Sequence, residues 1–177
     1  MKLRCCASRL LVLVWLLAPL PALAAPGPGT YEALATFHGH TCGGSILGAR
    51  MGAAAKAALG DSATMGKVRA VYYATACPLD GIQVTTGCTL GNGTIEVKDE
   101  KEMKLRLTVD GLPGLVEARP TDAALALGKE SKDLAKKARE LPQGSPQRVT
   151  LEARVAEIFA ELKAAPDAEV VQTILIR

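Results

Sequence analysis

The stretch Phe37-His38-Gly39-His40-Thr41-Cys42-Gly43-Gly44, continuing through Ser45-Ile46-Leu47-Gly48-Ala49-Arg50-Met51-Gly52-Ala53, holds both histidines of the 177-residue chain and one of its five cysteines. In an extended segment residues i, i+2 and i+4 face one side, so His38, His40 and Cys42 are expected to turn two imidazoles and a sulfur toward one point. That donor set suits zinc first and nickel or a similar transition metal next. Taken alone, the same residues fit capping histidines and half of a disulfide, so the reading depends on donors from elsewhere in the chain.

Those donors are found in Ala76-Cys77-Pro78-Leu79-Asp80-Gly81-Ile82-Gln83-Val84-Thr85-Thr86-Gly87-Cys88. The run 67–76, with Val68, Val71, Tyr72 and Tyr73, reads as a strand ending at Cys77-Pro78, and Asp80 reads as the N-cap of a short helix over 81–87. A strand giving way to a helix holds side chains at a rigid edge that remains reachable. Cys77 there would join His40 and Cys42 around one ion. Asp80 and Gln83, three apart, share a helix face, and Asp80 is placed either to accept the second N–H of a ligating histidine or simply to cap. Gly87 to Gly93 has neither the spacing nor the lysine of a phosphate loop; Asn92-Gly93 is a hairpin-turn signal, and with Thr94 a glycosylation sequon.

Around these motifs the chain reads as one α+β domain, with a mixed or antiparallel sheet packed against helices. A short helix is expected over 31–36. A longer one follows over 45–59, with Ser45 as N-cap and Gly60 as stop, and with Gly48 and Gly52 forming a bare stripe for close packing. Residues 95–98 and 103–109 alternate apolar and polar and predict a hairpin across the charged turn 99–102. A strand over 115–118 follows, then a helix opened by Pro120-Thr121-Asp122 and running to about Glu140, whose charges form a solvated face. Thr150 would cap a last helix with Leu151, Val155, Ile158, Phe159 and Leu162 on one stripe, before a final strand over 169–176.

The N-terminus has the form of a secretory signal, with Lys2, Arg4 and Arg9, the apolar run Leu10 to Leu17, and cleavage expected after Ala24. Residues 25–30 then form a linker and 31–177 the domain, with its motif-bearing core at 31–118 and a helical extension with the last strand at 119–177. Removing the three leader cations cancels the net charge of +3, so neither nucleic acid nor an anionic membrane surface is favoured as a partner. No segment after the leader is long and apolar enough to span a membrane. Cys5 and Cys6 would leave with the signal. Cys42, Cys77 and Cys88 remain, an odd number that fits either one bridge and a free thiol or metal ligation.

His38-Gly39-His40-x-Cys42 with Gly44, Gly48, Arg50 and Met51-Gly52, followed by Cys77, Asp80, Ile82-Gln83, Thr86-Gly87-Cys88-Thr89, Gly91 and Gly93, resembles the FmdE family of formylmethanofuran dehydrogenase components over about residues 31–109. The resemblance implies a core similar to the catalytic-domain fold of glyceraldehyde-phosphate dehydrogenases, often dimeric. It also implies a zinc or related metal site drawn from His38, His40, Cys42, Cys77 and Cys88, with Asp80 and Gln83 behind it. The chain departs from the family pattern at Gly43-Gly44, where Pro-Gly is common, and at Asp99 to Glu102, where an Asp-Tyr-Gly-Lys run is common. It also has no cysteine after Cys88 for a zinc ribbon.

These readings favour an exported, periplasmic metal-binding protein that stores, delivers or senses a transition metal, or holds it for an unidentified periplasmic partner, as a homodimer. A metal-dependent enzyme with an open coordination position is the alternative, with Asp80, Arg50 or Gln83 assisting. It lacks an independent base, because both histidines are claimed by the metal. Thiol redox chemistry through Cys77 and Cys88 is the third reading, without the close Cys-x-x-Cys spacing. Formylmethanofuran oxidation by this chain alone is not expected.

Overall fold

The computed structural model describes residues 25–177; the expected signal segment 1–24 lies outside the described residues. Helix α1 (Pro28–His38) starts with proline in its first turn and ends at Gly39, whose φ of 82° is the left-handed stop that glycine adopts without strain. Helix α2 (Gly43–Leu59) follows after three more residues. It is apolar nearly all round, with Ile46, Leu47, Ala49, Met51, Ala54 and Ala55 each at most 1% exposed, as a helix must be when it is enclosed on all sides.

A short α3 (Ser62–Met65) leads into β1 (Val68–Tyr72), and α4 (Pro78–Thr86) carries the chain to β2 (Ile95–Val97). Then come β3 (Leu105–Val109), β4 (Leu115–Pro120), α5 (Asp122–Arg139), α6 (Pro146–Ala164), the single turn α7 (Asp167–Val170) and β5 (Val171–Ile176). The five strands form one mixed sheet in the order β2-β1-β3-β4-β5, in which only the β1/β2 pair is parallel. Leu105, Leu107 and Val109 face the helices, joined by Val116 and Ala118 of β4. On the other face Arg106 and Arg119 pair with Glu117 across and along the strands. The α+β class with a mixed sheet against helices is therefore the observed one.

Several local expectations change. Residues 95–98 and 103–109 do not form a hairpin, because β1 lies between β2 and β3. The charged segment 99–102 instead passes over the end of β1, where Lys98 and Glu102 donate their N–H groups to the Tyr72 and Tyr73 carbonyls. The Asn92-Gly93 turn accordingly links α4 to β2; it is no hairpin turn, and the Asn92 amide is engaged by Gly87, Thr89 and Thr94. Strand β1 stops at Tyr72, not Ala76. Thr150 bonds back to Pro146 within the first turn of α6, and Ser145 is the cap. The stripe on α6 packs as expected, with Ile158 and Leu162 fully buried.

The contact that places everything else is between α2 and α4. A Cβ built on Gly48 would collide with the Pro78 carbonyl, and one on Gly81 would collide with Ala49 N and Ser45 O. The two backbones touch directly, which only residues without a side chain allow. The stripe of glycines is longer than Gly48 and Gly52 alone, since Gly44 rests against Cys77 one turn earlier.

Candidate metal centre

The extended arrangement expected for His38 to Cys42 is not the observed one. His38 is the last residue of α1, Gly39 turns the chain back, and Cys42 is the N-cap of α2. The turn still brings His38 and Cys42 together, with His38 Nε2 3.7 Å from Cys42 Sγ. Ser45, expected as the cap, is the third helical residue. Its N–H donates to Cys42 Sγ at 3.3 Å, while its hydroxyl accepts from Cys42 N at 3.3 Å. The two groups cap one another in a box, with sulfur in the place usually held by a hydroxyl oxygen.

Cys77 arrives from the second motif. It precedes Pro78 at the start of α4, and it, not Asp80, is the N-cap residue; Asp80 lies in the first turn. Because α4 is pressed onto the glycine stripe, Cys77 sits over the first turn of α2, its Cβ 3.2 Å from where a Gly44 Cβ would be. His38, Cys42 and Cys77 each offer one donor atom, and all three atoms lie within 4.8 Å of one another. They are the one such cluster of three or more His, Cys, Asp or Glu donors among the described residues.

Behind them runs a hydrogen-bonded chain. His38 Nδ1 donates to Asp80 Oδ2 at 2.6 Å, Gln83 Nε2 donates to Asp80 Oδ1 at 3.3 Å, and Gln83 Oε1 accepts from Leu90 N at 3.1 Å. A proton held on Nδ1 by Asp80 leaves the Nε2 lone pair facing the thiols, which is how metal-ligating histidines are commonly oriented. Asp80 thus accepts from a histidine N–H, and Gln83 fixes the carboxylate in turn.

The other two sequence candidates stand apart from this cluster. His40 is exposed, resting its ring against that of His38 with centroids 4.5 Å apart. Cys88 is 2% exposed in the core, and its thiol donates to Val68 O at 3.4 Å. Val68 opens β1 whereas Cys77 lies past its far end, so the Cys77/Cys88 pair considered for redox chemistry is not brought together. Arg50 is also removed from the site. It is fully buried and donates to the carbonyls of Leu162, Lys163 and Ala165 and to Asp167 Oδ1. That leaves it as a clamp on the end of α6, not an assistant to chemistry.

The local fields differ between the donors. The bond to Asp80 raises the His38 pKa above the usual histidine value, against some loss of hydration, with Cys42 adding to the rise. Burial pushes the Cys42 thiol up, but the Ser45 hydroxyl and N–H, His38 and Cys77 together bring it below the usual thiol value. Cys77 is raised, by burial first and then by the negative charge on Cys42. The two sulfurs are thus pushed in opposite directions, Cys42 down and Cys77 up. Sequence reading placed Gly44 in the motif without its packing role, and gave Tyr72 no part beyond the strand. Tyr72 is fully buried and its hydroxyl has no partner among the described residues; burial raises its pKa, and a charge on Cys77 adds to that. The four-residue spacing of Gly44 from Gly48 was a readable signal; nothing local marked Tyr72.

Known proteins agree with this architecture. Over 64 residues, 33% of this chain, the sequence is 42% identical to a probable S-adenosyl-L-methionine-binding protein of Archaeoglobus fulgidus, and that match spans 18% of the relative's length. The crystal structure of a tungsten formylmethanofuran dehydrogenase FmdE-like protein from Syntrophus aciditrophicus superposes with a TM-score of 0.58 at 19% identity. That likeness covers 84% of this chain and 71% of the other and shows a shared fold. The family model described as FmdE, molybdenum formylmethanofuran dehydrogenase operon, matches residues 37–172, from the histidine segment into β5 and well past the 31–109 region that carries the motifs. By that match the chain belongs to the FmdE family.

Proposed function

We propose that the protein binds a transition metal, zinc first, through His38 Nε2, Cys42 Sγ and Cys77 Sγ, and that it works as a metal-holding or metal-delivering protein. The observation that carries this reading is the meeting of one imidazole and two thiols within 4.8 Å, with Asp80 holding the opposite ring nitrogen. The donor set fits: borderline-soft nitrogen and sulfur are the ligands zinc selects. Bound there, the metal would supply a Lewis-acidic centre. The residues around it fix the histidine tautomer through Asp80 and Gln83, and stabilise the Cys42 thiolate through the first turn of α2.

Three protein donors are one fewer than the closed four of a structural zinc site. The exposed side of Cys77 leaves that place open to a ligand from a partner or, in the enzyme reading, to a small substrate. The basic start, the apolar run Leu10 to Leu17 and the small residues around Ala24 support export through a signal peptide. The exposed Ile174 and Ile176 on the edge strand β5 support a homodimer, which sedimentation at varied concentration tests.

The deciding experiment is the metal content of the protein and of Cys42→Ser and Cys77→Ser after dialysis against zinc. The expected result is one zinc per parent chain and loss of most of it in each variant. Full occupancy in both variants would defeat the assignment. Serine is itself a good N-cap, so the variants should remain folded and the comparison should stay clean.

A further inference from the structure

We infer that Cys42 and Cys77 form a reversible dithiol/disulfide couple, and that the oxidised form cannot hold the metal, so the site takes up its ion only when reduced. The gating rests on the metal-binding reading above; the pairing of the two sulfurs does not. The two Sγ atoms lie within 4.8 Å, and a disulfide requires about 2.05 Å with Cβ atoms about 3.5–4.5 Å apart. Side-chain rotation has to close the remaining gap; Cys42 caps α2 and Cys77 caps α4, the two helices that touch at Gly48 and Gly81. Gly44 leaves the space between them clear: a Cβ at that position would stand 3.2 Å from Cys77 Cβ and 3.8 Å from Cys42 Sγ.

Accessibility sets the order of events. Cys77 is exposed, Cys42 half-buried and Cys88 buried. A small-molecule disulfide of the glutathione type is the oxidant. The exposed Cys77 thiol gives up its proton, and the resulting thiolate attacks this disulfide, displacing one small thiolate and forming a mixed disulfide. The Cys42 sulfur then attacks the Cys77 sulfur and displaces the second. One S–S bond is consumed and one formed, and the two thiol protons pass to the two leaving thiolates. The protein is oxidised by two electrons while the small disulfide is reduced to two thiols. Both sulfurs are then occupied by one another, and the only cluster member left as a donor is His38, too few to retain zinc.

The test incubates the full chain, reduced and stripped of metal, with oxidised glutathione, followed by unreduced peptide mapping and zinc titration. The expected result is a bond joining the Cys42 and Cys77 peptides with Cys88 still open to alkylation after unfolding. Zinc uptake should fall at least tenfold, and dithiothreitol should restore it. Cys88→Ser should behave like the parent. A stable glutathione adduct on Cys77 with no internal bond, or a bond through Cys88, would overturn the couple. Undiminished zinc uptake by the bridged protein would overturn the gating. Formation of the bridge in a chain whose reduced form takes up no zinc would overturn the metal-binding reading and the gating with it, while upholding the couple.

Discussion

Helix α2 carries two polar anchors, Cys42 at its start and Arg50 about two turns along, and they are treated in opposite ways. The Arg50 guanidinium donates to the end of α6 and to Asp167, lies beside the Tyr31 hydroxyl, and has no exposed surface. At Cys42 the backbone and Ser45 hold the sulfur in place, yet the atom still faces His38 and Cys77, and Cys77 is open to solvent. A buried charge whose donors go to backbone carbonyls serves the fold. A cluster of donor atoms turned toward one another, with few protein partners, has capacity left for a ligand.

The comparison can be broken most severely at Arg50. Arg50→Met leaves Asp167 without its cation and three carbonyls without donors, and breaking a buried pair in this way costs about 3–5 kcal/mol. Denaturant unfolding should show that loss, while zinc bound per folded molecule stays the same. A loss of zinc at unchanged stability would reverse the roles given to the two anchors.

Gly48→Ala tests the link between them. Its Cβ must push Pro78 away, an overpacking cost of about 1–3 kcal/mol. Since Cys77 precedes Pro78, zinc affinity should fall together with stability. A stable variant with parental affinity would show that the glycine stripe does not set the site.

Asp80→Asn should leave the fold nearly unchanged and weaken zinc binding by about 10–100-fold, the usual effect of removing a carboxylate behind a ligating histidine. Isothermal titration against a competing chelator measures this.

The smallest effect is on pH dependence. The His38 pKa is raised in the folded protein by Asp80, so the stability from that pair is complete below the ordinary histidine value and is lost as pH rises through the raised value. Zinc affinity runs the other way, because protonated His38 cannot ligate and the ion must displace its proton. Across about pH 5–8, the metal-free protein should lose a little stability as its zinc affinity climbs. His38→Gln should flatten the stability profile. A parent profile equally flat would remove the His38–Asp80 pair from the account.

Much of this was legible in residue order. The stop of α2 at Gly60, the opening of α5 around Pro120-Thr121-Asp122, the α6 stripe and the final strand follow from apolar periodicity and local stop and start signals. For Asp80 residue order left two roles open, helix cap or partner of a histidine, and the contact with His38 comes from the fold. The parallel β1/β2 pair was not legible, because strand partners are chosen by packing across the sheet while a charged turn looks alike in a hairpin and in a crossing segment. The caps at Cys42 and Cys77 were also hidden, since cysteine is an unusual capping residue and serine or aspartate stands close by in each case.

Residue order by itself determined which donors exist, two histidines and a few cysteines, and that glycines would let two helices touch. Only the tertiary structure decided that His38, Cys42 and Cys77 meet, while His40 remains exposed and Cys88 joins the core. The reason is geometric. Convergence depends on the angle at Gly39 and on the α2/α4 contact, where residues some thirty positions apart in sequence come together. No local spacing encodes a distance between segments that far apart.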